Sequence, residues 1–225
     1  MQVIEMTPEQ LRGRHSSKWM QFERGVIGAG LAEMDFHVAP AIQARLREHV
    51  EQERYGYAPR GSQGTMTAAL ESFRRRMATQ FQWMVEVDDC QLVVDLIQGA
   101  MAGVLAFTEI GESVALQVPA YPQFLSAIAG AGRHVLANPM REAGGRFVLD
   151  LRQLADGTNA GTRVLLLCHP HNPTGRVFDR EELLGLVPLV RERGWVVISD
   201  EIHADLVFAP KRHQPLARLL PEIAE

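Results

Sequence analysis

Arg163-Val164-Leu165-Leu166-Leu167-Cys168 runs directly into His169-Pro170-His171-Asn172-Pro173-Thr174-Gly175, and this junction decides the fold. The first segment is a near-continuous apolar run of strand length, which reads as a strand buried on both faces. The second places two prolines and a glycine where that strand ends. They fix the backbone and present Asn172 in a rigid setting. The Asn172 amide can donate to a phenolic oxygen. The plain alternative is an ordinary Asn-Pro turn.

The same rhythm extends in both directions. Leu92-Val93-Val94, Val114 to Val118, His134-Val135-Leu136, Val164 to Leu167 and Trp195 to Ser199 are strand candidates. Between them lie helical stretches near Ala100–Phe107, Pro122–Ala129 and Arg180–Arg193. The last opens on Asp179 with Glu182 three residues on, the pattern of a capping box. Apolar strands separated by helices predict an α/β fold, a mainly parallel sheet covered on both faces in a three-layer α/β/α arrangement. Such sheets bind ligands at the carboxyl ends of their strands.

Before this region the chain is irregular to about Phe36, with Gly25, Gly28 and Gly30 punctuating it. A helix follows Pro40, with Ile42, Leu46 and Val50 on one face. A Gly/Pro-rich break from Tyr55 to Gly64 precedes a second helix, marked by Met66, Leu70, Phe73, Met77 and Phe81. Arg74, Arg75 and Arg76 read as its solvated face. Residues 1–60 are expected to form an N-terminal segment and residues 61–225 a ligand-binding domain.

Composition narrows the function. The 225 residues are 46% hydrophobic and 22% charged, which excludes a disordered chain. A net charge of −4 gives no basic face for nucleic acid. Lys18 and Lys211 are the only lysines, and every other basic residue is arginine. Two lone cysteines, Cys90 and Cys168, make no disulfide framework. Met1 to Arg14 lacks the apolar core of a signal peptide. No run of roughly 18 apolar residues is present to span a membrane, and a cytoplasmic location is expected.

Three further motifs stand at strand ends. Gly99-Ala100-Met101-Ala102-Gly103 follows Leu92-Val93-Val94 and opens a helix, where small residues let backbone amides approach a phosphate. A simple tight turn reads equally well. Pro119-Ala120-Tyr121-Pro122 places an aromatic ring at the next strand end, as core packing or as a platform for a planar ring. Ser199-Asp200-Glu201-Ile202-His203 ends the last strand with an acid that must meet a cation to offset desolvation. A protonated pyridine nitrogen is such a cation, and His203 could approach the same ring from its other side.

Together Ala-Tyr-Pro, Asn-Pro-Thr-Gly and Ser-Asp-Glu-Ile-His, in this order, resemble the pyridoxal-phosphate enzymes of the class I/II aminotransferase group. Met34-Asp35-Phe36, Tyr55-Gly56-Tyr57 and the Asp-Glu-Ile-His ending resemble its cystathionine β-lyase (C–S lyase) branch. The resemblance implies that Gly99, Ala100 and Met101 cradle the phosphate of pyridoxal 5'-phosphate and that Tyr121 stacks on its ring. It implies that Asn172 bonds the ring hydroxyl oxygen, Asp200 pairs with the ring nitrogen and His203 lies near the hydroxyl. Tyr57 would reach the phosphate in the other subunit of a homodimer. The implied reaction converts a cysteine conjugate, a small amino acid, to pyruvate, ammonia and thiol.

The resemblance also implies a Schiff-base lysine on a strand after Asp-Glu-Ile-His, followed by a Ser-Lys motif, and neither lies within these 225 residues. Lys211 is expected in a surface loop and Lys18 in the irregular N-terminal stretch. The sequence therefore reads as the N-terminal portion of a longer enzyme, lacking the last strands and most of the small domain, and inactive alone. An aminotransferase and a non-catalytic remnant that binds cofactor are the alternatives. A metal-dependent hydrolase using His169, His171, Asp200, Glu201 and His203 is a further one, although His-Pro-His places its rings awkwardly.

Overall fold

A computed structural model describes residues 5–57 and 64–223. Contacts divide the chain into two compact units, Met1–Ala58 and Pro59–Glu225. The break expected from Tyr55 to Gly64 falls largely outside the described residues.

The first unit is less irregular than its glycines suggest. Helix α1 (Pro8–Gly13) is capped by Thr7, whose hydroxyl accepts from the Gln10 amide while the Gln10 side chain bonds back to Thr7. A short α2 (Ser17–Met20) follows. Lys18 on α2 is buried, donating to Asp35 Oδ2 at 2.8 Å and to the Glu33 carbonyl at 2.9 Å. Trp19 Nε1 takes the other Asp35 oxygen at 2.8 Å. Lys18 is thus the centre of a folded clasp rather than a residue of a loose arm. The helix expected after Pro40 is α3 (Pro40–Glu51), and its apolar face, Ile42, Leu46 and Val50, is exposed within this unit.

The second unit opens with α4 (Thr65–Arg76), which passes into a π-helical turn over Met77–Phe81. Leu92-Val93-Val94 forms no strand, because no neighbouring strand among the described residues is there to pair with it. Then come α5 (Leu96–Phe107), β1 (Ser113–Val118), α6 (Pro122–Gly130) and β2 (His134–Pro139). A hairpin absent from the sequence reading, β3 (Arg141–Ala143) with β4 (Arg146–Val148), leads into α7 (Leu151–Gly157) and β5 (Thr162–Cys168). The single helix expected over 180–193 is two, α8 (Arg180–Leu184) and α9 (Leu186–Arg193), divided at Gly185. Strand β6 (Val196–Asp200) and a short α10 (Leu216–Leu219) complete the order.

The main sheet is parallel throughout, in the order β2-β1-β5-β6. Its side chains alternate between two cores, as the two-residue strand period requires. Val114, Leu116, Val164 and Leu166 pack with Ala100, Val104, Phe124 and Ile128 of α5 and α6. Ala115, Leu165 and Leu167 face the opposite layer, with Leu154 of α7, Leu183 of α8 and Leu186 of α9. This is the three-layer arrangement expected. The central strands β1 and β5 are almost wholly buried, whereas β6, an outer strand, is half-buried along most of its length. Because β1, β5 and β6 pair in parallel, their carboxyl ends lie along one edge of the sheet.

Candidate functional site

Asp200 closes β6 and is buried, with its Oδ1 accepting the Ile202 amide at 3.0 Å. Its carbonyl accepts the His169 amide at 2.8 Å, which ties the start of the His-Pro-His-Asn segment to the end of β6. Cys168 is the register partner of Asp200 on β5. The thiol is pushed up to about 12 by burial first, and then by the negative charge of Asp200. Cys168 is therefore a neutral thiol and no nucleophile. Cys90 is free as well.

After β5 the chain turns through an isolated antiparallel bridge between His171 and Arg176. His171 Nδ1 bonds the Thr174 hydroxyl at 2.8 Å, and Gly175 adopts φ 68°, a left-handed conformation that suits glycine. The rigid turn read from the prolines is thus formed. It leaves Asn172 half-buried, with no side-chain hydrogen bond among the described residues. His203 stands in the turn after β6, and its ring is equally unengaged. Both residues line one cleft of about 500 Å³.

Tyr121 follows β1 at the start of α6, with its ring edge-on to Phe124 at 5.7 Å. It packs with Met101 against the core cluster that contains Ala100. The glycine-rich segment does not open its helix. Helix α5 begins at Leu96 rather than at Gly99, because the Asp95 carboxylate caps it by accepting the Gln98 amide at 2.8 Å. The Gly99 amide donates to the Asp95 carbonyl at 3.3 Å. Gly99, Ala100 and Met101 accordingly lie inside the helix, and their amides do not point from its open end. Tyr57 belongs to the first unit, where its side chain is fully exposed.

Two features had no signal in the sequence. One is a buried network on Glu201, whose carboxylate accepts from Ser199 Oγ at 2.9 Å and the Leu216 amide at 2.7 Å. It also pairs with His213 Nε2 at 2.7 Å. His169 lies 5.2 Å from His213, ring to ring, and stacks on Phe178 at 5.6 Å. Burial holds both His169 and His171 down to about 4, with neighbouring His213 adding for the first and the positive charge of Arg176 for the second. The other is a set of cations on the rim of the cleft, Arg146, Arg176 and Lys211. Lys211 is in an exposed loop as expected, paired there with Asp179.

Of the residues named for a metal site, His171 is held by Thr174, and Glu201 by Ser199, His213 and the Leu216 amide. Among the described residues no three His, Cys, Asp or Glu side chains converge as metal ligands would. No helix among the described residues is long and apolar enough to cross a membrane.

Residues 28–224 match the family "Aminotransferase class I and II". The chain is 33% identical over 223 residues to cystathionine beta-lyase PatB of Bacillus subtilis, covering 96% of this chain and 56% of that protein. Among solved structures, OvoB superimposes with a TM-score of 0.85 at 33% identity, over 93% of this chain and 54% of its own. Cystalysin of Treponema denticola, which contains a pyridoxal 5'-phosphate cofactor, shares the fold with a TM-score of 0.87 at 23% identity, over all of this chain and 58% of that one. The chain thus spans about half the length of the relatives it matches.

Proposed function

The chain belongs to the class I and II aminotransferase family, and from that premise we propose that its second unit binds pyridoxal 5'-phosphate as part of a carbon–sulfur β-lyase. The observation that carries this reading is that Asn172 and His203 line one cleft, each with polar side-chain atoms to spare. They follow β5 and β6, and β6 closes on the buried carboxylate of Asp200, the register partner of Cys168. That donor set fits the group. A buried acid needs a cation, which a protonated ring nitrogen supplies, and a ring hydroxyl oxygen needs a donor.

In this reading Asp200 holds a proton on the ring nitrogen, and Asn172 donates from its side-chain amide to the ring hydroxyl oxygen. His203 offers a second hydrogen-bonding group on that side, and Tyr121 covers a ring face. When bound, the cofactor supplies an electron sink for the negative charge left after an amino acid loses its α-proton. Asp200 makes the sink effective by keeping the nitrogen protonated. Assigning the phosphate to Gly99, Ala100 and Met101 requires the first turn of α5 to open back to Gly99. Tyr57 from a second copy of the chain would complete that end of the site in a homodimer.

Neither lysine is placed by the described contacts as a proton-transfer base. Lys18 is buried on Asp35, and Lys211 stands in an exposed loop beside Asp179. General-base catalysis contributes typically ~10²–10⁴-fold, so this chain alone should bind the cofactor yet turn over negligibly. An aminotransferase would use every residue named here, and the name of the Bacillus subtilis relative favours the lyase.

Titration of the purified chain with pyridoxal 5'-phosphate, followed by tryptophan quenching and cofactor absorbance, tests the proposal. Saturable binding is expected, weakened at least about tenfold by Asp200→Ala. Binding unaffected by Asp200→Ala, or no saturable binding, would overturn it.

A further inference from the structure

The loop that follows β6 is closed at its neck by two side chains. Glu201 Oε2 and His213 Nε2 stand 2.7 Å apart, although the residues are 12 apart in sequence. The other Glu201 oxygen accepts from Ser199 Oγ at 2.9 Å and from the Leu216 amide at 2.7 Å, so the carboxylate joins β6 to the start of α10. Between Glu201 and His213 the chain runs out and back. His203, Leu206, Val207, Phe208 and Lys211 of that excursion line the cleft beside Asn172. One wall of the cleft is thus a loop held at its base.

The base is firmer than the rest of the loop. His213 leaves only 1% of its side chain exposed and packs edge-on to Phe81 at 5.7 Å. Its Nδ1 is buried with no hydrogen-bond partner among the described residues, so the polar tie of that ring runs to Glu201. Farther out, Asp205 pairs with Arg76 and Lys211 with Asp179. Both pairs are open to solvent, where ion pairs hold a geometry weakly.

Two further contacts carry the neck to the candidate site. The Asp200 carbonyl, one residue before Glu201, accepts the His169 amide at 2.8 Å. The His169 ring lies 5.2 Å from that of His213 and is buried with it. His169 opens the turn that presents Asn172. Asp200, Asn172 and His203 therefore extend from one buried knot, although the described bonds of the Glu201 carboxylate reach none of the three.

We propose that Glu201 and His213 are positioning residues, which set Asp200 against the ring nitrogen and His203 beside the ring by latching the neck of this loop. The inference rests on the cofactor reading above and adds to it two residues that touch no part of the cofactor. The latch acts on direction rather than on attraction. An acid favours a charged ring nitrogen only when an oxygen lies within hydrogen-bond reach of it, and a displacement of about 1 Å forfeits much of that bond.

The test compares two probes on the cofactor-free chain, pyridoxal 5'-phosphate and its carbocyclic analogue, in which a ring carbon replaces the nitrogen. Only the first can meet Asp200 through a charged N–H, so the ratio of the two affinities reads how well that acid is placed. A general loss of stability weakens both probes together and leaves the ratio unchanged. The ratio should be about tenfold or more in the wild-type chain and about one in Asp200→Ala. Glu201→Ala and His213→Leu should each lower it at least about threefold. Glu201→Gln should recover most of it, since its amide can still accept from Ser199 and Leu216 and can donate to a neutral imidazole. Thermal midpoints identify a variant that has not folded. His213→Leu leaves Glu201 its other two donors, so the latch is also broken without stripping the carboxylate. A wild-type ratio in the folded latch variants, with the ratio lost in Asp200→Ala, overturns the positioning role and leaves the cofactor reading standing. Equal affinity of the two probes for the wild-type chain, or binding of neither, overturns both.

Discussion

Cys168 and Asp200 face each other across the β5–β6 pair, both buried, and the charge of the acid helps to keep the thiol protonated. Oδ1 of Asp200 accepts the Ile202 amide, and the proposed function gives its charge a cationic ring nitrogen as partner. The same relationship silences the cysteine. Folded protein treated with a disulfide reagent near pH 8 should therefore release one equivalent of chromophore quickly, from Cys90. Cys168 should follow on the order of a hundredfold more slowly, because the thiolate is the reacting species. Two fast equivalents in the folded state would show that the thiol is not held by burial and Asp200.

Acid should destabilise the second unit through His169 and His171. Their folded values lie near 4 against an ordinary 6.5, so the unfolded chain binds more protons between those limits. The stability they confer is complete above about pH 6.5 and is lost as pH falls toward 4. The loss should be on the order of a few kcal/mol for the pair. Urea midpoints measured across that window should fall, and should fall about half as far for His169→Phe, which can stack on Phe178 without a proton to gain, because His171 still titrates. A pH-independent midpoint between 6.5 and 4 would refute this.

Glu201 should matter for stability more than its modest exposure suggests. Glu201→Ala strands donors on Ser199, His213 and Leu216, and His213 is almost fully buried. Leaving buried donors unpaired costs ~1–3 kcal/mol each, partly recovered where water enters. A lowered urea midpoint of roughly 2–4 kcal/mol is expected, with a smaller drop for Glu201→Gln. An unchanged midpoint would mean that the α10 segment is not anchored there.

Gly28→Ala should damage the first unit alone. A Cβ at Gly28 would lie 2.1 Å from the Lys18 carbonyl oxygen. That backbone cannot readily give way, because the Lys18 ammonium is fixed to Asp35 and Glu33. A loss of roughly 3 kcal/mol is expected, at the upper end for overpacking. Amide exchange should accelerate over residues 17–36 and stay unchanged over residues 113–200. Equal protection of residues 17–36 in the variant would show that the clasp tolerates the methyl group.

The sequence by itself determined whatever follows from local chemistry. The apolar run ending at Cys168 could only be a central strand, since its alternate residues all require burial. The prolines and Gly175 specified the turn that presents Asn172, and Asp179 with Glu182 specified a helix start. Those signals are encoded within a few residues, so no long-range information was needed.

Tertiary structure decided the rest. Leu92-Val93-Val94 has strand composition but forms none, because a strand exists only through hydrogen bonds to a neighbour. Gly99 has the composition of an anion loop, yet Asp95, four residues earlier, draws its amide into the helix. Lys18 looked idle until the fold placed Asp35 beside it, 17 residues away. The rim cations come from a hairpin, a turn and a loop separated by long stretches of chain. Charge at such a distance in sequence has no local pattern. It becomes one cleft lining only when packing brings the side chains to one opening.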